Sequence, residues 1–124
     1  MFAQDNESPL LSEKQKTEFH PLVTKGLFAC QRARPDIHTT IAALCTRVQV
    51  PTEQDWEKLE RLLKYLNGTR TDRLVLKADS VNVLKWYVDA SFGTHPDFKS
   101  HTGAMMTFGS GAVQSLSRKQ KLNT

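Results

Sequence analysis

Long apolar runs are what this 124-residue chain lacks most plainly: no stretch exceeds a few apolar residues, and the first twenty positions are mostly polar. A membrane-spanning helix needs about 20 consecutive apolar residues and a secretory leader an apolar core of about 7–15, so the sequence offers neither. Cysteine is scarce as well. Cys30 and Cys45 lie in apolar helical surroundings with no Cys-x-x-Cys or Cys/His spacing near them, which predicts two buried thiols and no metal ribbon. An intracellular, reducing setting with no membrane partner is the expectation that follows. Gly109-Ser110-Gly111 lacks both the pattern and the following helix of a phosphate-cradling loop. No Asp-Asp pair and no internal repeat occurs.

What remains is a length and a 39% hydrophobic content that suit one small domain or a piece of a larger one. The net charge of +4 favours an anionic partner such as nucleic acid, mildly. Residues 1–18 are polar without sustained periodicity and read as a flexible linker. Phe19, Leu22, Val23, Leu27, Phe28 and Cys30 then predict a short helix opened by Pro21 and ended at Arg34-Pro35, with Asp36 free to cap the next one. Ile37, Ile41, Leu44 and Val48 form the stripe of that second helix. A third is marked at both ends, by the Thr52-x-x-Asp55 cap and by Asn67-Gly68. Trp56, Leu59, Leu62, Leu63 and Leu66 supply its apolar face, and Glu57/Arg61 and Glu60/Lys64 sit at favourable i,i+4 spacing. Lys58, Arg61, Lys64, Arg70 and Arg73 are the candidate nucleic-acid contacts, weighed against the plainer role of a solvated helix face. A partner docking on the Trp56-to-Leu66 face is a further, weaker alternative.

Beyond Gly68 the pattern turns to β: Leu74–Leu76, Val81–Val88, Gly103–Phe108 and Ala112–Leu116, the last two joined across Gly109-Ser110-Gly111 as a hairpin. The fold class expected is α+β, two or three helices followed by an antiparallel β-meander. Asp89, at the end of an apolar run and followed by Ala90-Ser91, is the one candidate catalytic carboxylate; the commoner role for such a residue is a turn or a cap. Asp79 and Asp97 read as turn formers. His95 and His101 flank a loop without a nearby cysteine, and His20 and His38 sit at helix starts, which disfavours a histidine metal site. The strand-like run ending at residues 118–124, with a lone carboxylate behind it, reads as a break inside a larger catalytic domain.

Several segments together resemble the Pol polyprotein of copia-type LTR retrotransposons. They are Phe19-His20-Pro21-Leu22-Val23, the Cys30–Ile37 run, Pro51–Trp56 through Leu63–Thr69, Val88-Asp89-Ala90-Ser91, Ser100-His101-Thr102-Gly103 and Ser117-Arg118-Lys119-Gln120. The resemblance implies a helical connection after the reverse transcriptase over residues 19–69 and the start of an RNase H-like domain over residues 70–124. It implies that Asp89 is the first metal-binding aspartate, one ligand of an incomplete Mg²⁺ site that acts on an RNA–DNA hybrid in the parent protein, with no ion held tightly by this segment alone. It also implies a sheet whose covering elements are absent, open to self-association through its edge. The alternative is a non-catalytic module that grips a duplex backbone through Lys58, Arg61, Lys64, Arg70 and Arg73.

Overall fold

A computed structural model describes residues 8–121. Helix α1 (Glu13–Arg32) leads through a 3-10 turn (Pro35–Ile37) into α2 (His38–Cys45) and then α3 (Glu53–Gly68). Strands β1 (Lys77–Ala78), β2 (Lys85–Ser91), β3 (His101–Thr107), β4 (Gly109–Ser110) and β5 (Gln114–Lys119) follow. The order is helical first and antiparallel β second, as the sequence predicts.

The helices share one core. Phe19, Val23 and Cys30 of α1, Ile37, Ile41 and Leu44, and Leu59 and Leu62 of α3 are all buried, joined by Leu11 from the leading segment. Gly26 of α1 lies against Ile41 of α2, where a β-carbon would run into the Ile41 side chain. That leading segment is not linker from residue 8 onward. Leu10 bridges to Thr52, the Leu11 amide donates to the Pro51 carbonyl at 3.1 Å, and the Glu53 amide donates to the Pro9 carbonyl at 2.9 Å. Residues 1–7 lie outside the described residues.

Helix α1 also starts earlier than Pro21 suggests. Ser12 and Gln15 form a reciprocal capping box, so Pro21 sits inside the helix with its missing N–H facing the preceding turn. Proline in a helix interior costs about 3 kcal/mol; burying Phe19 and Val23 to either side of it contributes about 1.5–3 kcal/mol each, which is enough to carry the helix through. The Arg34-Pro35 stop is as expected, but Asp36 caps nothing: α2 begins with Ile37 at its N-cap and no side-chain cap, because Asp36 is held by Arg34 and Tyr65 instead. Helix α2 ends at Cys45, short of Val48.

Helix α3 has the capping box foreseen between Thr52 and Asp55. It runs through Gly68, whose backbone is not left-handed, and stops at Thr69, which donates its amide and hydroxyl to the Tyr65 carbonyl. Glu60 pairs with Lys64 at 3.8 Å and also accepts from the Trp56 indole; among the described residues Glu57 and Arg61 form no ion pair with each other. Leu59 and Leu62 are spent on the chain's own core, so this face is not available to a partner, while Leu63 points outward.

The strands shift relative to their apolar runs. Leu74–Leu76 is outside any ladder, and the turn after Asp79 reaches Asn82, whose amide donates to the Ser80 hydroxyl, so β2 begins at Lys85 rather than Val81. The glycine-rich segment is more than a hairpin link: Gly109 and Ser110 pair with Ala78 and Lys77 to make a separate two-stranded sheet. Gly111 makes that crossing possible. Its φ is +78°, and a β-carbon there would collide with the Val75 carbonyl oxygen. The main sheet has the order β2-β3-β5, with Tyr87 opposite Met105 and Met105 opposite Ser115, and Asp89 opposite Gly103 and Gly103 opposite Ser117. Period-two alternation puts Tyr87, Asp89, Ser115 and Ser117 on the face where α2 packs. Trp86, Val88 and Leu116 occupy the other face and are exposed.

Candidate functional site

Asp89 lies near the middle of β2 on the α2 side of the sheet, opposite Gly103, with no side chain across from it. It is exposed, and its Oδ1 accepts from the Ala90 amide at 2.8 Å. The concavity beside it, about 500 Å³, is lined by Tyr87, Gly103, Ser117 and the start of α2 at His38 and Thr39. The carboxylate is therefore presented at the mouth of a cleft, open to a ligand. It does not make a metal site alone: a hard divalent cation takes six or more oxygen ligands, and among the described residues no group of three or more ligating side chains converges. Among the described residues Asp89 supplies one ligand and does not by itself complete a Mg²⁺ site.

Ser117 and Thr39, which line this cleft, end a polar chain that the sequence does not reveal. His95 and His101, which merely flank a loop in the sequence, meet with Nε2 and Nδ1 3.0 Å apart. His101 Nε2 lies 2.7 Å from the Ser117 hydroxyl, which in turn donates to Thr39 Oγ1 at 3.4 Å. His38 Nδ1 hydrogen-bonds the Ser115 hydroxyl at 2.8 Å. One assignment satisfies every link: His95 donates to His101, His101 to Ser117, and Ser117 to Thr39. All three rings are buried. The turn that delivers His95 is closed by the Phe98 amide on the His95 carbonyl at 2.8 Å, with Phe98 in the left-handed region at φ 58°, and Lys119 grips Asp97 at 2.7 Å. The signal missed in the sequence is position: two histidines six residues apart across a tight turn, one of them opening a strand.

Burial pushes all three imidazoles below their ordinary value. For His95 the Lys119 ammonium and His101 add to that, partly opposed by Asp97; for His101 the neighbouring His38 adds. Burial likewise raises both cysteine thiols, with the Cys45 sulfur adding to the effect at Cys30, so they stay protonated and poorly nucleophilic. Cys30 is buried as expected, whereas Cys45 is only half-buried.

The five candidate cations do not share one surface. Lys58 and Arg61 line a second groove, between α2, α3 and the turn at His95-Pro96. Lys64 stands about 120° further round the helix from Lys58 and pairs with Glu60. Arg70 and Arg73 are exposed in the segment after α3. Among the described residues no helix is long and apolar enough to cross a membrane.

No family model matches the chain, and no solved structure does. Characterised proteins do. It is 33% identical over 107 residues to the retrovirus-related Pol polyprotein from transposon TNT 1-94 of Nicotiana tabacum, a match that covers 86% of this chain and 8% of that protein. It is 32% identical over 107 residues to a putative transposon Ty5-1 protein of Saccharomyces cerevisiae, covering 86% of this chain and 35% of the relative. The Pol polyprotein from transposon RE1 of Arabidopsis thaliana is 34% identical over 89 residues, 71% of this chain and 6% of that protein. The chain thus spans between 6% and 35% of the length of these three relatives.

The histidine cluster makes stability depend on pH. Folded-state values below the unfolded one mean that the unfolded chain binds more protons once the pH drops under about 6.5, so stability is level above that point and declines below it. Urea unfolding should show a lower midpoint at pH 5.5 than at pH 7.5, and His101→Gln should flatten the difference. An unchanged midpoint over that range contradicts neutral buried rings.

Proposed function

We propose that this chain, which belongs to the copia-type retrotransposon Pol polyproteins, is the segment of such a polyprotein that runs from a helical connection after the reverse transcriptase into the opening strands of an RNase H-like domain. The observation that carries this reading is the placement of Asp89: an open carboxylate on the first long strand of an antiparallel meander, facing a residue without a side chain, directly after a helical unit. In the parent reaction Asp89 would be one of several carboxylates that hold divalent ions against the RNA strand of an RNA–DNA hybrid; such hydrolysis needs all of them. The described residues carry one, so the chain by itself is assigned no hydrolysis. Asp89→Asn in a Pol polyprotein that carries this segment should cut hybrid hydrolysis on the order of a hundredfold or more without lowering its melting temperature, since the side chain is exposed. Unaltered hydrolysis in that variant would refute the role.

The second reading is a module that holds a nucleic-acid backbone without cutting it. It is favoured by Lys58 and Arg61 on a common rim and by the net charge of +4. Because Lys64, Arg70 and Arg73 stand elsewhere, a footprint of about two phosphates is expected. Affinity for an RNA–DNA hybrid should then fall with log[salt] at a slope of roughly −1 to −2, and Lys58→Ala/Arg61→Ala should remove most of that slope. A salt-independent affinity would dispose of this reading.

A further inference from the structure

The groove bounded by α2, α3 and the His95-Pro96 turn has a volume of about 520 Å³ and an apolar floor of Ile37, Ala43, Leu44 and Leu62. That is the size and character of a small-molecule site, which is mostly apolar with a few placed polar groups. Its two carboxylates face inward and are already engaged. Asp36 accepts from the Arg34 guanidinium and from the Tyr65 hydroxyl at 2.8 Å each. Asp55 accepts from Arg47 Nε and from the Thr52 amide and hydroxyl, all at 3.0 Å. The rim carries a cation: Arg61 has no carboxylate partner among the described residues, and Lys58, about one helical turn away, lies on the same edge with its ammonium donating to Gln54 Oε1 at 3.2 Å.

Tyr65 completes the arrangement. Its hydroxyl is pinned by Asp36 and its ring lies 5.4 Å from the Arg34 guanidinium, yet 46% of the residue remains exposed. A fixed, partly bare aromatic ring beside an apolar floor receives a flat heteroaromatic body, and a cationic rim receives a phosphate.

We propose that this groove binds a mononucleoside phosphate, with the base on Tyr65 and the apolar floor and the phosphate on Arg61 and Lys58. A double helix does not satisfy it, because its bases are turned inward and cannot enter the groove. The proposal stands apart from the hydrolytic role of Asp89.

Calorimetric titration of the whole chain with AMP tests it, with inorganic phosphate, adenosine and an RNA–DNA hybrid as comparison probes. AMP is expected to bind more tightly than phosphate or adenosine alone. Arg61→Ala should weaken AMP about tenfold, the effect of losing a charge-assisted contact, while Lys25→Ala on α1, an exposed cation away from the groove, should not. Because Arg61 is exposed, the variant should melt as the original does. Absence of AMP binding, equal binding of phosphate alone, or indifference to Arg61→Ala would each overturn the proposal. Salt-dependent binding of the hybrid with none of AMP would also overturn it and leave the duplex reading standing.

Discussion

Helix α2 faces two ways, and the rest of the molecule depends on that. Ile41 and Leu44 on one side enter the core with Phe19, Val23, Leu59 and Leu62. His38 and Thr39 at its start reach the sheet, meeting Ser115 and Ser117 of β5. The two attachments are unequal. Each buried aliphatic or aromatic side chain contributes about 1.5–3 kcal/mol, whereas a hydrogen bond contributes about 0.5–1.5 kcal/mol net. The helical part therefore stands on its own packing, and the sheet is held mainly by its own ladders and by polar links to α2. Trp86, Val88 and Leu116 on the far face add little, because they stay in water.

The two concavities follow from the same geometry. Where α2 approaches β5, the cleft beside Asp89 opens, lined by His38 and Thr39 of α2 and Ser115 and Ser117 of β5. Where α2 departs from α3, the second groove forms, closed at one end by His95 and Pro96. His95 both bonds His101 and lines this groove, so the turn held by Phe98 and by the Lys119–Asp97 pair ties the histidine chain to it.

Legibility in the sequence tracks how local the determinant is. Helix α3 was readable because its cap and its apolar stripe lie within one stretch, from Thr52 to Leu62. The start of α1 was equally local, in Ser12 and Gln15, yet Pro21 drew the boundary to the wrong place; tertiary burial of Phe19 and Val23 outweighs the proline. The strands were found but displaced, since β-branched residues at Val75, Val81 and Val83 are apolar without being paired. The role of Gly109 and Ser110 as a strand depends on a partner some thirty residues earlier, and no local pattern encodes it. Asp89 stands out through its neighbours, an apolar run before it and Ala90-Ser91 after it, but its role as a metal ligand comes from family resemblance alone. The histidine pair and the groove arise only when α2, α3 and the 95–99 turn assemble, which is why the five cations looked like one surface in the sequence and are not.

Native-state hydrogen exchange, read residue by residue, tests the central claim that the helical core carries the stability and the sheet depends on it. Amides of α1 around Val23 and of α3 around Leu59 should exchange only through global unfolding, and those of β2 bonded to β3 through a smaller opening of lower free energy. Equal protection of β2 and the helical core would contradict the account, because it would require the sheet to share fully in a single cooperative core.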